Sequence, residues 1–343
     1  NYLNQSLPYE ILPPGEMPFV INPQSGYIAN CNNDPVGNTL DNNGLNQLRP
    51  GGGLYYLDIA YSGFRQGRID RLLNERLDSG QPVTVDFIKQ TQANNQPLDA
   101  EKLTPYLLTA AANASAPNAW SELRTLINDA RVAAAIDRLS SWDYSTPTGI
   151  VEGFDPGDDP GNLPQPSATE IRHSTAATLF AVWRSFAIRG VVDSTLTRVG
   201  LGSRTPGSEE SIRALLNLLK NYPTAHGVGA SGVNFFQVAG APSPEAARDL
   251  VLLRALRDSL NALSGDSFAA AFGNSTNLDD YRWGRLHRIV FDHPLGGPFN
   301  LPGANPYGFA NLSPQLPGVA RPGGYDTLDV GGHSARASTV NGF

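Results

Sequence analysis

The sequence predicts an α+β fold, with short strands at both ends of the chain and a large helical insertion in the middle. Five prolines in the first 30 residues forbid a long helix there. Apolar residues follow a helical period from residue 65, and turns rich in Gly and Pro return near the end. We therefore divide the chain into a strand and loop part (1–64), a mainly helical region (65–265) and a strand and loop return (266–343), and expect both ends to share one core.

The first region reads as extended chain broken by turns. Residues 19–21 and 27–29 are short β-type runs, and the intervening NPQSG segment is a strong turn signal. An Asn- and Gly-rich loop follows over residues 32–53, and residues 54–57 resemble one more strand. The sequence thus predicts that the Asn-rich stretch lies where a strand ends.

Apolar residues at i, i+3 and i+4 spacing mark the helices of the middle region. Ile69, Leu72 and Leu73 share one face of the first helix. Near the end of the region, Ser243 can cap a helix whose first turn holds Pro244. The predicted helices cover residues 68–77, 85–92, 97–112, 120–139, 169–188, 208–222 and 244–263.

Composition excludes several function classes. Charged residues make up 17 % of the 343 residues and the net charge is −7, so nucleic acid is not an expected partner. No run of about 18 apolar residues occurs, so no membrane span is expected. The single cysteine, Cys31, excludes an intrachain disulfide and a multi-thiolate metal site. Scarce Cys and Met with 27 prolines favour a periplasmic or extracellular protein.

The Asn-rich segment contains candidate catalytic residues. The chain contains no Gly-x-Ser-x-Gly elbow, P-loop or His-Glu-x-x-His motif. Residues 22–35 (NPQSGYIANCNNDP) instead place adjacent amides after a turn and a short strand. A neutral Asn N–H is a suitable donor to the oxyanion that forms when an amide carbonyl is attacked. The alternative is a loop whose Asn side chains cap turns.

These residues resemble a known family. Residues 22–35 are similar to the N-P-x-x-G-Y/F-x-x-N-x-N-N-x-P string of the penicillin acylases, which are N-terminal-nucleophile hydrolases with an αββα fold. Residues 283–288 (WGRLHR) resemble a segment of the acylases for acyl-homoserine lactones, aculeacin and cephalosporins. The chain is therefore identified as an internal segment of the family's β subunit, closest to the acyl-homoserine-lactone and aculeacin type. The other similar segments, in order, are 65–73 (RQGRIDRLL), Trp142-Asp143, 174–189 and 338–341.

The resemblance implies catalytic roles for two residues. Asn32 matches the oxyanion-hole amide, and Arg65 matches the arginine that orients the site around the nucleophile. Arginine suits this role because its planar guanidinium is always charged and can hold a carboxylate or carbonyl groups. The competing interpretation of Arg65 is a surface charge on a helix, equivalent to Arg68 and Arg71.

The resemblance also implies a structural calcium ion, although no cofactor is required. Relatives often bind Ca²⁺ near this loop through oxygen ligands, for which Asp34 and Asp41 are the candidates here. The loop is longer than in the penicillin G enzymes, so turn capping remains the alternative role for both residues.

The expected activity is hydrolysis of a linear N-acyl amide. In the family, an N-terminal Ser freed by autoproteolytic processing attacks, and its own α-amino group acts as base. This chain begins with Asn1, whose side chain cannot attack, so we expect it to be inactive alone. The nucleophile and the α subunit would be companion chains of one precursor. Expected substrates are acyl-homoserine lactones, β-lactam side-chain amides or lipopeptide acyl chains.

Two other functions are compatible with the sequence. A non-catalytic relative or fragment would act as a secreted binding or scaffold module, in keeping with the missing nucleophile. A secreted carbohydrate-binding or surface protein is suggested by the Asn, Gly and aromatic content alone.

Overall fold

A large helical body lies between an extended N-terminal part and a small C-terminal β region. The computed structural model describes residues 12–36, 47–55, 61–291, 293–295, 299, 318–332, 335 and 341–342, with the side chains of 330–332 and 341–342 excepted. Within these residues the fold is α+β and mainly helical. The α-helices are α1 (Phe64–Asp78), α2 (Val85–Gln92), α3 (Leu98–Ala114), α4 (Ser121–Ile127), α5 (Ala130–Ser140), α6 (Ala168–Ile188), α7 (Ser194–Arg198), α8 (Ser208–Lys220), α9 (Tyr222–Ala225), α10 (Pro244–Leu263), α11 (Ala269–Phe272) and α12 (Trp283–Leu286).

Most helix predictions are confirmed. The predicted helix 85–92 coincides with α2, and Ser243 caps α10 by accepting from the Ala246 amide at 3.1 Å. The predicted helix 120–139 is wrong in one respect, because the structure splits it into α4 and α5. The Asp129 side chain accepts from the Arg131 amide at 2.8 Å and starts a new helix. The apolar residues keep their helical spacing across Asp129, but the Asp129 carboxylate caps a new helix and so divides the predicted one.

Helix α6 forms the centre of the core. It begins with a capping box in which Ser167 and Glu170 satisfy each other's backbone amides. Nearly all of its residues from 174 to 188 are buried, as expected for a helix that is apolar on every face. It packs against α5 and α10, and α10 packs against α3 and α4. None of the helices in the described part of the chain combines the length and apolarity that a membrane span requires.

Glu101 of α3 fixes the position of α1. Its carboxylate accepts from Arg71 Nη1 at 2.7 Å and also pairs with Arg68, so two side chains of α1 meet one residue of α3. Burial acts to raise the pKa of Glu101, but the hydrogen bonds and charges of both arginines hold it below its usual value. The first turn of α1, where Arg65 lies, is thereby held on the helical body.

Five short strands lie after the helical body in the part of the chain that the structure describes. They are β1 (Arg288–Val290), β2 (Val319–Ala320), β3 (Gly324–Tyr325), β4 (Val330–Gly332) and β5 (Asn341–Gly342). One sheet has the order β2–β1–β5, in which Arg288 lies opposite Ala320 in an antiparallel pair and Ile289 opposite Asn341 in a parallel one. β3 and β4 form a separate parallel pair. These strands lie within residues 266–343, and whether this segment returns to a core shared with residues 1–64 stays a prediction.

Among the residues whose placement is described, the predicted strands of the first region are not present as paired strands. Residues 19–21 and 27–29 form no ladder, and the described part of residues 1–64 has a single antiparallel bridge, between Leu48 and Leu54. Of the predicted strand 54–57, residues 56 and 57 lie outside the described residues. The physical reason is that an extended segment becomes a strand only when a neighbour accepts and donates its backbone hydrogen bonds, and the frequent prolines remove donors.

The chain segment that leads into β3 is anchored to the helical body by hydrogen bonds. Trp283 Nε1 donates to the Gly323 carbonyl at 2.8 Å, and the Gly323 amide donates to Thr146 Oγ1 at 2.9 Å. Gly323 has a φ of +87°, and a Cβ there would overlap the backbone carbonyl oxygen of Asp329. This glycine is required both by its conformation and by the close approach of the chain.

We expect Gly323→Ala to destabilise the protein more than a matched glycine substitution. Gly273 has a φ of +61° and open space around the Cβ position, so Gly273→Ala should cost only the backbone strain, about 1–2 kcal/mol. Gly323→Ala adds the steric overlap, and urea unfolding should therefore show at least about twice that loss. Equal losses for the two variants would contradict this account of the segment.

Candidate functional site

Asn32 lies in a tight turn that its neighbours stabilise. The Asn32 amide donates to Asn30 Oδ1 at 3.0 Å, and the Cys31 amide donates to Asn33 Oδ1 at 3.0 Å. These contacts hold Asn32 in the left-handed region, with a φ of +51°. Asn tolerates this conformation better than most residues, although it remains strained. The turn presents the Asn32 side chain on the exposed surface of the chain.

The segment before this turn is tied to α1. Tyr27 donates its hydroxyl hydrogen to Asp70 Oδ1 at 3.0 Å, and Gln66 Nε2 donates to the same oxygen at 2.9 Å. Asp70 thus connects the Asn-rich segment to the first turns of α1. The turn and the helix are fixed relative to each other, as a shared site requires.

Arg65 orients the Asn32 amide. Its Nη2 donates to Asn32 Oδ1 at 3.2 Å. A guanidinium has only donors, so the atom of Asn32 that faces it must be the carbonyl oxygen. The Nδ2 group therefore points the other way, and within the described residues nothing accepts a hydrogen bond from it. The alternative interpretation of Arg65 as a helix-surface charge does not account for this contact.

Asp326, directly after β3, completes the site. Its carboxylate accepts from Arg65 Nε at 2.8 Å, from the Phe64 amide at 3.1 Å and from the Ser62 hydroxyl. The residue that precedes α1, Gly63, has no side chain to cap the helix. Asp326 therefore caps α1 from a distant part of the chain, where a negative charge is favourable. Asp326 is itself held in the left-handed region, with a φ of +54°.

We refer to Asn32, Arg65 and Asp326 as the polar cluster. The two residues that the sequence predicted are brought together, and Asp326 is the member that sequence reasoning missed. No local signal could have identified it, because it lies in a Gly-rich turn 261 residues after Arg65. In this arrangement the Asp326 carboxylate positions the Arg65 guanidinium, which in turn holds the oxygen of the Asn32 amide. The N–H group of that amide is directed away from Arg65. Its chemical capacity is to donate a preorganised hydrogen bond.

Cys31 lies beside the polar cluster without the properties of a nucleophile. Burial raises the pKa of its thiol, and the opposing effect of the Arg65 charge is smaller. The thiolate is the reactive form of cysteine, so a raised pKa makes the side chain less reactive at neutral pH.

The calcium candidates remain predictions. Asp34 is buried, and its Oδ1 accepts from the Val36 amide at 2.9 Å, which is a turn-capping contact. Asp41 lies outside the described residues. Among the residues whose placement is described, no group of three or more His, Cys, Asp or Glu side chains is arranged to hold a metal ion.

Comparison with known proteins gives one finding. A family model described as penicillin amidase matches residues 4–342, which is nearly the whole sequence. No curated protein matches the chain.

Proposed function

Because this chain belongs to the penicillin amidase family, we propose that it forms part of an amidohydrolase that cleaves a linear N-acyl amide through an N-terminal Ser carried on a companion chain. The family is one of hydrolases that act on amide bonds and whose precursors are processed into several chains. We further propose the αββα fold of the N-terminal-nucleophile hydrolases for the assembled core, to which the ends of this chain would contribute.

The orientation of the Asn32 amide is the observation that supports this proposal most. During attack, the carbonyl oxygen of the substrate gains negative charge, and an N–H group placed beforehand stabilises that charge without reorganisation. Asp326 positions Arg65, and Arg65 holds Asn32 by its oxygen, so the N–H is directed away from Arg65 and meets no acceptor among the described residues. In the proposed reaction, the companion Ser hydroxyl attacks, its α-amino group takes the proton, and Asn32 Nδ2 donates to the oxyanion. The C–N bond then breaks, the amine leaves with that proton, and water hydrolyses the acyl ester on Ser to release the acid.

The surface around Asn32 suits a companion chain. Phe19, Ile21 and Ile28 precede Asn32, and their exposed fractions are 76 %, 75 % and 66 %. Large apolar side chains grouped in this way commonly mark an interface. Within the described residues, segments 19–21 and 27–29 form no strand ladder, so strands of another chain could pair with their backbone groups. We propose that the companion chain covers this segment and brings its amino terminus to Asn32.

The substrate class follows from the chemistry of the family. We propose N-acyl compounds such as acyl-homoserine lactones, β-lactam side-chain amides or lipopeptides, and a periplasmic or extracellular location. No cofactor takes part in this mechanism, and a structural Ca²⁺ held near Asp34 and Asp41 is a separate proposal.

A non-catalytic scaffold or binding module is the alternative function. It is favoured by the make-up of the polar cluster, whose members Asn32, Arg65 and Asp326 include no Ser, Thr or Cys that could act as the nucleophile. The two functions differ in one feature of the companion chain. The enzyme requires a free N-terminal Ser, Thr or Cys there, whereas the scaffold does not.

The test is to purify the protein with every chain that accompanies it, then to measure intact masses and N-terminal sequences. We expect a companion chain that begins with Ser and gains the mass of an acyl group when mixed with an activated ester of that acyl group. The assembly should release amine from a panel of N-acyl amides. A companion without such a residue, together with no hydrolysis of any panel member, would establish the scaffold function instead.

A further inference from the structure

Arg184 is a buried cation that the proposed mechanism does not use. It lies on α6, and only 4 % of its surface is exposed. Its Nη1 pairs with Asp99 Oδ2 of α3 at 2.6 Å, and its Nε donates to the Ala335 carbonyl at 3.0 Å. Asp99 is fully buried, and this burial raises the pKa of its carboxyl group although the charge of Arg184 opposes the effect. The pair therefore joins two helices of the body to the C-terminal β region.

Two aromatic rings enclose the Arg184 guanidinium. Its central carbon lies 5.5 Å from the centroid of Phe180 and 5.0 Å from that of Tyr325. Phe180 is rigidly packed in the core against Trp142 and Trp183. Tyr325 is buried on β3 and immediately precedes Asp326. Stacking on a guanidinium fixes the ring plane as well as its position, because the cation favours the face of the ring.

Stability alone does not explain such a pair. Removing two charges from water costs free energy that their attraction repays only in good geometry, so apolar residues of similar volume often serve stability equally well. Asp326, one residue from the stacked ring, has a strained left-handed backbone. A strained conformation persists only when the surrounding structure holds it firmly. The hydrogen bonds to the Asp326 carboxylate hold its side chain, and bonds between Gly324 and Thr327 close the turn around it. The ring of Tyr325 is the contact by which this turn meets the helical body at Arg184.

We infer that Arg184 is a positioning residue: paired with Asp99 and stacked on Tyr325, it fixes the backbone of Asp326 and through it the Arg65–Asn32 contact. The expected effect of Arg184 on turnover rests on the proposed function, whereas its effect on the structure of the polar cluster does not. Its effect on the hydrogen bond from Arg65 to Asp326 can be measured without any substrate.

The variants are chosen to avoid leaving a buried charge. Removing Arg184 alone would leave Asp99 unpaired and could prevent folding, so both are replaced in Arg184→Met/Asp99→Leu. A second variant, Tyr325→Leu, removes the stacked ring and leaves the ion pair intact, and Tyr325→Phe restores the ring. The matched control is Arg248→Met/Asp249→Leu. Arg248 stacks on Tyr222 at 5.0 Å and pairs with the buried Asp249 at 2.7 Å, and neither residue contacts the polar cluster.

Two measurements on the assembled protein test the role. The first is water exchange of the Arg65 Nε–H resonance in protein labelled with ¹⁵N-arginine, because the hydrogen bond to Asp326 shields this proton. The second is turnover of an N-acyl amide. Displacements near 1 Å can reduce rates by about 100-fold, so we expect kcat to fall roughly tenfold or more with little change in KM. Exchange of the Arg65 resonance should accelerate by a similar factor in Arg184→Met/Asp99→Leu and Tyr325→Leu.

The control and Tyr325→Phe should resemble the wild type in both measurements. If the wild type hydrolyses no N-acyl amide, the proposed function fails and the resonance alone decides the positioning role. Unchanged exchange and unchanged kcat in a folded Arg184→Met/Asp99→Leu variant would overturn it. Equal losses in the Arg248→Met/Asp249→Leu control would also overturn it, because they would reveal a general loss of core packing.

Discussion

Asn32→Ala should lower kcat by about 100- to 1000-fold in the assembled protein, with little change in KM. The reason is that Nδ2 of Asn32 is the donor directed away from Arg65, and its contact with the substrate oxygen strengthens only when that oxygen becomes charged. Asn32→Gly should show the same loss of turnover. Glycine adopts a φ of +51° without strain, so this variant removes the amide and preserves the backbone of the turn.

The control for this prediction is another asparagine with the same backbone conformation. Asn274 has a φ of +58° and donates to Asp266 on an exposed loop away from the polar cluster. Asn274→Ala should affect stability about as much as Asn32→Ala and should leave turnover unchanged. Near-full activity in Asn32→Ala, measured with steady-state kinetics on the best N-acyl amide, would remove Asn32 from the mechanism.

Asp326→Ala should reduce both turnover and stability. It leaves the Phe64 amide and the Arg65 guanidinium without their carboxylate, which removes a helix cap as well as an ion pair. Losses of this kind amount to about 1–3 kcal/mol of unfolding free energy. The kcat should fall roughly 10- to 100-fold, because Arg65 is then free to leave Asn32.

Asp129→Ala is the control that separates the loss of stability expected for Asp326→Ala from its loss of turnover. Asp129 also caps a helix, α5, and lies near an arginine, Arg131, at 3.6 Å. Its replacement should lower the melting temperature in calorimetry without changing kcat. If Asp326→Ala also lost only thermal stability, Asp326 would be a structural cap with no influence on Asn32.

The sequence predicts the helical body well because its signals are local. Ser243 and Pro244 mark the start of α10, and the apolar period marks α2 and α6 close to their observed bounds. The break at Asp129 was missed because periodicity counts apolar residues and does not register a capping side chain. The early strands were predicted from β-type runs, but pairing depends on neighbours that a run of residues does not specify.

The polar cluster could be predicted only in part. Asn32 and Arg65 belong to segments that resemble a family motif, and the structure places their side chains in contact. Whether they act in catalysis stays a prediction. Asp326 has no motif, and its role arises from packing between distant parts of the chain. The role of Arg184 could not be predicted either, because an arginine within an apolar helix does not show which aromatic rings it will contact.

The capping of α1 by Asp326 has a consequence for biosynthesis. A ribosome synthesises Arg65 261 residues before it reaches the carboxylate that holds it. Local helices can form early on the emerging polypeptide, whereas contacts between distant segments must wait. A nascent or shortened chain would therefore hold Asn32 loosely, even with a fully formed helical body. The proposed oxyanion donor would become fixed only late in folding, after residue 326 has been synthesised.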